Sequence, residues 1–412
     1  MNFSGMAGDL GLDSGYFRWE PGFQESEGLT DPIRRWLSSE TELRRDCEFL
    51  GFDAGNTEAV LRSARTVCQS PPLVRLIAHL HHILFEKNDV SMQTNAGLPM
   101  LPDTLGEMSD MFYVFVFLSG LPKAVENHRR RKISPEVTAQ TLSDLQTWMV
   151  AYHAKTGRWG LDLRAWLINH FNGRLIALGR LQFQLCPYGG AFKVYRHRHE
   201  SRSIALALPD QQFRPDGQFA NADYGMASES WCSQWHETND SVTGHPVLPG
   251  SGTVGKEPVT LGFKEWKVAL QTGDRVLEIH IPASGPLDPD ACRASISRCA
   301  EFFQTHYPEI PPFRAWTCTT WFLDPQLAGC LSASSNIAKF QSLFHLLPAP
   351  GANDSQMFER VFSNEKNLDH LQVNTSLQRA LIAHMRAGKR WRNGAGYILP
   401  SIRQKSLKSS KG

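Results

Sequence analysis

Residues 276–290 read Val-Leu-Glu-Ile-His-Ile-Pro-Ala-Ser-Gly-Pro-Leu-Asp-Pro-Asp. The first six alternate, with Glu278 and His280 on one face and Leu277, Ile279 and Ile281 on the other, which is the period of a β-strand. Asp288-Pro289 then places a capping carboxylate before a proline at the first helical position, and Ala291, Ile296, Phe302 and Phe303 supply the apolar positions of a helix. A second strand is expected at Thr317–Leu323, after which Asp324-Pro325 opens another helix. Strand, helix, strand, helix predicts locally parallel pairing, because parallel strands need a long crossover. Ile337–Leu347 reads as a third strand. Thr375 and Gln378 form a capping box for a helix ending near Ala387, with Gly388 as its stop.

Working back from this core, period 2 begins near Leu175: Leu181, Phe183 and Leu185 alternate with Arg180, Gln182 and Gln184, and Phe192–Arg198 and Ser203–Leu208 follow as strands. Asp223–Lys256, rich in Gly, Ser, Thr and Asn, reads as a long ordered loop carrying Trp231, Trp235, His236 and His245. Before residue 175 the period is helical, as in Leu73-Leu76-Ile77-Leu80-Leu84 and Leu142-Leu145-Trp148-Met149-Tyr152, and Ser134-Pro135 is a start signal. Met111–Leu121 is apolar all round, which predicts a helix buried at the centre of this first domain. The expected organisation is a helical domain over 1–133, connecting helices over 134–174, a sheet domain over 175–400 and a basic tail over 401–412.

The 412 residues carry a formal charge of +2 and are 41% hydrophobic, which excludes a disordered or fibrous chain. The charge is uneven: nine lysines and arginines and no Asp or Glu side chain follow Asp369. A partner no larger than an anionic cofactor or an acidic carrier is expected there. The eight cysteines form no C-x-x-C pair, which points to a reducing, cytoplasmic setting rather than a disulfide framework. The first residues lack the basic and apolar regions of a signal peptide, and the longest apolar run, Met111–Leu118, is too short to cross a bilayer, so no membrane partner is expected.

Polar residues on a strand expected in a mixed sheet face a cavity, a ligand or each other. Glu278 and His280, two residues apart, can share a proton or activate a water; a solvent-facing structural pair is the alternative. The stretch Pro282-Ala283-Ser284-Gly285 joins strand to helix, where backbone N–H groups and the helix dipole can receive a phosphate. Prolines 282 and 286 remove two donors and Asp288 competes for the helix end, so a plain turn is the alternative. Cys318 is either a nucleophile or a small core residue. His79, His81 and His82, and His197 and His199, lack companion ligands at a familiar spacing, and no metal is expected.

Several of these segments together resemble the acyltransferase family that joins a helical N-acyltransferase-type N-terminal domain to a GNAT-like C-terminal domain. They are Gly179-Arg180-Leu181-Gln182-Phe183, Val242-Thr243-Gly244-His245-Pro246, Glu257-Pro258-Val259-Thr260-Leu261, Val276–Pro282 with Gly285-Pro286-Leu287-Asp288, Asp324-Pro325-Gln326-Leu327, Ser335–Gln341 and Thr375–Arg379. The resemblance implies an α+β fold, a helical N-terminal domain followed by a GNAT-like mixed sheet flanked by helices. It implies an acyl-coenzyme A (acyl-CoA) co-substrate between the strands at 276–282 and 317–323, attacked directly by the amine of a small-molecule or amino-acid-like acceptor. In that scheme Glu278 or His280 is the base, and His245 and His236 complete the site. Tyr397 and Cys318 are the candidate acids. Pro282, Ala283, Ser284 and Gly285 hold the cofactor, with Arg379 and Arg390 as nearby cations. The alternatives are a carrier-protein or aminoacyl-tRNA donor, and a non-catalytic binding or scaffold protein.

Overall fold

The structure is a computed structural model and describes residues 1–221, 229–283, 285–351 and 353–400. It divides into two compact units: Met1–Gln184 with Ile281–Gly285 and Ser297–Pro308, and Leu185–His280 with Pro286–Ile296 and the chain from Glu309 on.

The first unit is built on the helix Glu107–Arg130, whose residues from Met108 to Leu121 are all buried. Met111–Leu118 is an unbroken apolar run with no polar face to turn outward, so it is enclosed by the helices Ala54–Cys68, Pro71–His81 and Arg164–Phe171. Burial of each large side chain there is worth about 1.5–3 kcal/mol. The helix is long and apolar enough to suit a bilayer, yet that surface is consumed by its own unit. Gly120 permits the closest approach: a Cβ at this position would overlap the ring of Phe85, itself buried. Ser134 caps the helix Pro135–Leu142 by accepting from the Val137 N–H, as the sequence predicts. A hairpin of β1 (Leu175–Leu178) and β2 (Leu181–Pro187) closes the unit, with Ile176 opposite Phe183. Its Gln182 donates to Asp144 (3.0 Å), a buried carboxylate that also accepts from the indoles of Trp148 and Trp166.

The second unit carries twelve further strands: β3 (Phe192–His197), β4 (Ser203–Ala207), β5 (Gln212–Phe213), β6 (Trp231–Cys232), β7 (Trp235–Glu237), β8 (Ser241–Gly244), β9 (Val259–Gly262), β10 (Trp266–Leu270), β11 (Arg275–His280), β12 (Ala315–Thr320), β13 (His345–Pro348) and β14 (Gly394–Ile398). Its main sheet, which the end of β2 enters, has the order β2-β11-β12-β14-β13. The pair β11–β12 is parallel, joined through the helix Pro289–His306, and β12–β14 and β13–β14 are antiparallel. A three-stranded sheet, β10-β3-β4, covers one face. Phe192 and Val194 of β3 and Ala205 and Ala207 of β4 share a core there with Val276, Ala315, Leu347 and Tyr397.

Four stretches depart from the sequence reading, the first being the helix expected after Asp324-Pro325, which is only a five-residue 3₁₀ turn, Pro325–Gly329. The segment read as a long loop at Asp223–Lys256 contains β6, β7 and β8; β7 pairs β8 from Trp235↔Gly244 to Glu237↔Val242, across a turn in which Thr238 Oγ1 accepts from the N–H groups of Asp240 and Ser241. Its Ser and Thr residues supply the turn as well as β-propensity, and they mask the alternation. Residues 222–228 of that segment lie outside the described residues. The strand expected at Ile337–Leu347 is instead a helix, Asn336–Gln341, followed by the short β13; Ser335 caps the helix through the Ala338 N–H, and this local bond outweighs the apolar run. The strand expected at Thr317–Leu323 ends at Thr320, where the side chain accepts from Phe322 N and turns Trp321–Leu323 into a 3₁₀-helix.

The Thr375–Gln378 capping box is present and starts the helix Ser376–Arg386. The chain then returns to the sheet past Asp324, whose buried carboxylate accepts from the N–H groups of Gln326 and Arg392 (both 3.0 Å). Gly394 fits beneath this corner because a Cβ would collide with the Leu323 carbonyl. Replacing Gly120 by Ala in the first unit is expected to cost about 1–3 kcal/mol through overpacking against Phe85. Thermal and urea unfolding of Gly120→Ala beside the wild-type chain measures it, and an unchanged midpoint would contradict this packing.

Candidate functional site

β11 alternates as its sequence requires: Leu277 and Ile279 are buried, and Glu278 and His280 are partly exposed on the opposite face. The parallel ladder to β12 runs Val276↔Ala315, Leu277↔Trp316, Glu278↔Thr317 and stops there among the described residues, although both strands continue, to His280 and Thr320. The register continues across the sheet, Thr317↔Tyr397 and His345↔Tyr397, so Glu278, Thr317, Tyr397 and His345 form one row on one face.

Burial raises the Glu278 carboxyl above its ordinary value, only partly offset by the Cys186 thiol that approaches it at 3.8 Å. The same proximity acts on the thiol: burial, then the Glu278 charge, push Cys186 up to about 12. Cys318, buried in β12, is pushed further above the thiol range by desolvation and by Glu278. A buried thiol held protonated is a poor nucleophile, which favours the core-residue reading of Cys318 over the nucleophilic one. Tyr397 is also buried. Its hydroxyl shares a 3.1 Å hydrogen bond with Ser203 Oγ, its ring stacks on His345 with centroids 4.9 Å apart, and burial pushes it up to about 12.

The remaining candidates are distributed more widely. His245 lies just after β8, buried, with its ring 4.8 Å from Trp231 and Nδ1 3.3 Å from the Gly255 carbonyl. His236 is exposed on β7. Arg379 is exposed on the capped helix, and Arg390 is exposed in the loop after it, where its carbonyl accepts from Gln326 Nε2 (2.9 Å). In the turn after β11, Ser284 lies outside the described residues. Pro282 and Gly285 direct their carbonyls at the Arg180 guanidinium, each at 3.2 Å, while Ala283 is exposed. Asp288 accepts from the Ala291 N–H (2.7 Å) and so occupies a helix end that an anion would otherwise use. The turn's structural cation is therefore Arg180, which the sequence shows only as one polar position of an alternating strand. His197 is a capping group, its Nδ1 accepting from the Glu200 N–H (3.1 Å).

Comparison with known proteins places these features in a common frame. Residues 175–398 match the model of the GNAT-like C-terminal domain, and residues 41–173 match that of the N-acyltransferase N-terminal domain. The chain is similar to an acyltransferase solved in complex with decanoyl-CoA and teicoplanin, at 26% identity and a TM-score of 0.67, over 97% of this chain and 100% of that one. An acyltransferase in complex with CoA and 10C-teicoplanin has the same fold at 24% identity and a TM-score of 0.65, with the same coverage. No curated protein sequence matches the chain.

The Cys186–Glu278 contact has a chemical signature. Removing the negative charge with Glu278→Gln is expected to lower the Cys186 pKa and speed its alkylation. Rates of iodoacetamide labelling between pH 7 and 9, mapped by peptide mass spectrometry with exposed Cys232 as the internal reference, check this. Unchanged relative labelling of Cys186 would contradict the contact.

Proposed function

Because the chain belongs to the family that carries a GNAT-like C-terminal domain behind an N-acyltransferase N-terminal domain, we propose that it transfers an acyl group from acyl-CoA to the amine of a small-molecule acceptor. The observation that carries this reading is a desolvated carboxylate, Glu278, at the last pair of the parallel β11–β12 ladder. A thioester carbonyl held against a backbone N–H at that end of the ladder gains oxyanion stabilisation.

In this reading the acceptor nitrogen attacks the thioester carbonyl carbon. As the C–N bond forms, Glu278 removes a proton from nitrogen, directly or through water, and His280 on the same face is placed to pass it on. Collapse of the tetrahedral intermediate breaks the C–S bond; the coenzyme leaves as a thiolate and takes up one proton. Glu278 suits the role because its raised pKa makes it a stronger base than an exposed carboxylate. Tyr397, with its hydroxyl engaged by Ser203, is a positioning group in this scheme. The acyltransferase of 26% identity binds decanoyl-CoA, and this is the first donor to try.

Titration calorimetry of the full chain with decanoyl-CoA is expected to show binding, and amine-dependent release of free CoA thiol to show turnover. Glu278→Gln is expected to lower kcat by roughly 10²–10⁴-fold with little change in donor affinity. The sign of the pH effect follows from the raised pKa: the basic form is lost as pH falls through it, so the acid limb of the kcat/KM profile lies above that of an ordinary glutamate and disappears in Glu278→Gln. A chain that neither binds decanoyl-CoA nor releases thiol from it would overturn the proposal.

A further inference from the structure

Arg196 is the interior cation of β3. It lies opposite Ser203 of β4 and next to Lys267 of β10, and alternation places it on the face of Phe192 and Val194, which packs on the main sheet. Its guanidinium is partly buried, and among the described residues it has no carboxylate within ion-pair distance. Burial lowers its pKa, with only the Tyr397 side chain acting in the opposite sense. A half-desolvated guanidinium without a counter-ion is costly unless an anion completes it.

Two hydroxyl groups lie beside that position. Ser203, the cross-strand partner of Arg196, shares its 3.1 Å hydrogen bond with Tyr397, and Tyr397 stacks on His345. Tyr397 stands two strands from Glu278 in one register row, a backbone separation of roughly 10 Å that the side chains shorten.

We propose that Arg196, with Ser203 and Tyr397, binds the carboxylate of the acceptor, so that the acceptor is a small amine that also carries a carboxylate. The proposal rests on the acyltransferase reading for the identity of the bound species. One guanidinium with neutral hydroxyls matches a planar monoanion; a phosphate group, doubly charged near neutrality, calls for more cations. Glu278 then receives the amine from the same row of the sheet while Arg196 holds the acid end.

The test uses the full chain and two probes that differ only in this charge, N-decanoylglycine and N-decanoylglycinamide, by titration calorimetry, with decanoyl-CoA titrated separately. The acid is expected to bind roughly tenfold or more tightly than the amide. Arg196→Gln is expected to abolish that preference and leave decanoyl-CoA affinity within about twofold, and Arg196→Lys to restore only part of it. Equal affinity of the wild-type chain for acid and amide overturns the proposal without any variant, so misfolding of a variant cannot shelter it. Weaker decanoyl-CoA binding by Arg196→Gln, with the acid preference intact, would also overturn it and assign Arg196 to a coenzyme phosphate. Carboxylate preference without decanoyl-CoA binding would defeat the acyltransferase reading alone, whereas decanoyl-CoA binding without carboxylate preference would defeat this inference alone.

Discussion

Three residue pairs between two parallel strands, Val276↔Ala315 to Glu278↔Thr317, set the terms for the second unit. A parallel pair cannot be closed by a tight turn, so the eighteen-residue helix Pro289–His306 must separate its strands. Because the ladder is in register with β14 and β13, it also decides which side chains share a row, and it places Glu278 level with Thr317, Tyr397 and His345. Among the described residues the ladder stops at Glu278↔Thr317. The one carboxylate on β11 stands at that point, desolvated enough to serve as a base yet partly open to solvent.

The polar groups buried around this framework are tied down mainly by backbone. Asp324 draws N–H groups from Gln326 and Arg392, and Gln341 donates to the Asp324 carbonyl at 2.9 Å, so the chain crosses from β12 towards β13 and returns to β14 around one carboxylate. This changes the meaning of the basic C-terminal stretch. Arg392 is held near Asp216 and Asp324 and so balances buried acid within the unit, while Arg379, Lys389 and Arg390 are exposed. A run of positive charge in the sequence is thus divided between an internal counter-ion and a solvated surface, and such surface charge contributes long-range attraction more than binding energy.

Local chemistry was legible where it agreed with its surroundings. The apolar run Met111–Leu118, the Ser134-Pro135 start, the Thr375–Gln378 box and the alternation of 276–281 each had one favourable solution, and the fold adopts it. Ile337–Leu347 misled because its apolar residues suit a strand and a buried helix equally, and the deciding feature was one hydroxyl at Ser335. The short strands β6 to β8 were hidden because their Ser, Thr and Trp residues serve turns and strands alike.

By itself the sequence determined the fold class, the helical character of the chain before residue 175, the crossover between β11 and β12 and the polar face of Glu278 and His280, since all of these follow from periodicity and capping within a few residues. Only the tertiary structure decided which distant groups meet. It set Cys186 against Glu278, Arg180 under the turn at 282–285, and Arg196 with Ser203 near Tyr397. Such pairings depend on strand order and register, which are settled by burying whole faces of the sheets together. No residue's own neighbours in the chain carry that information.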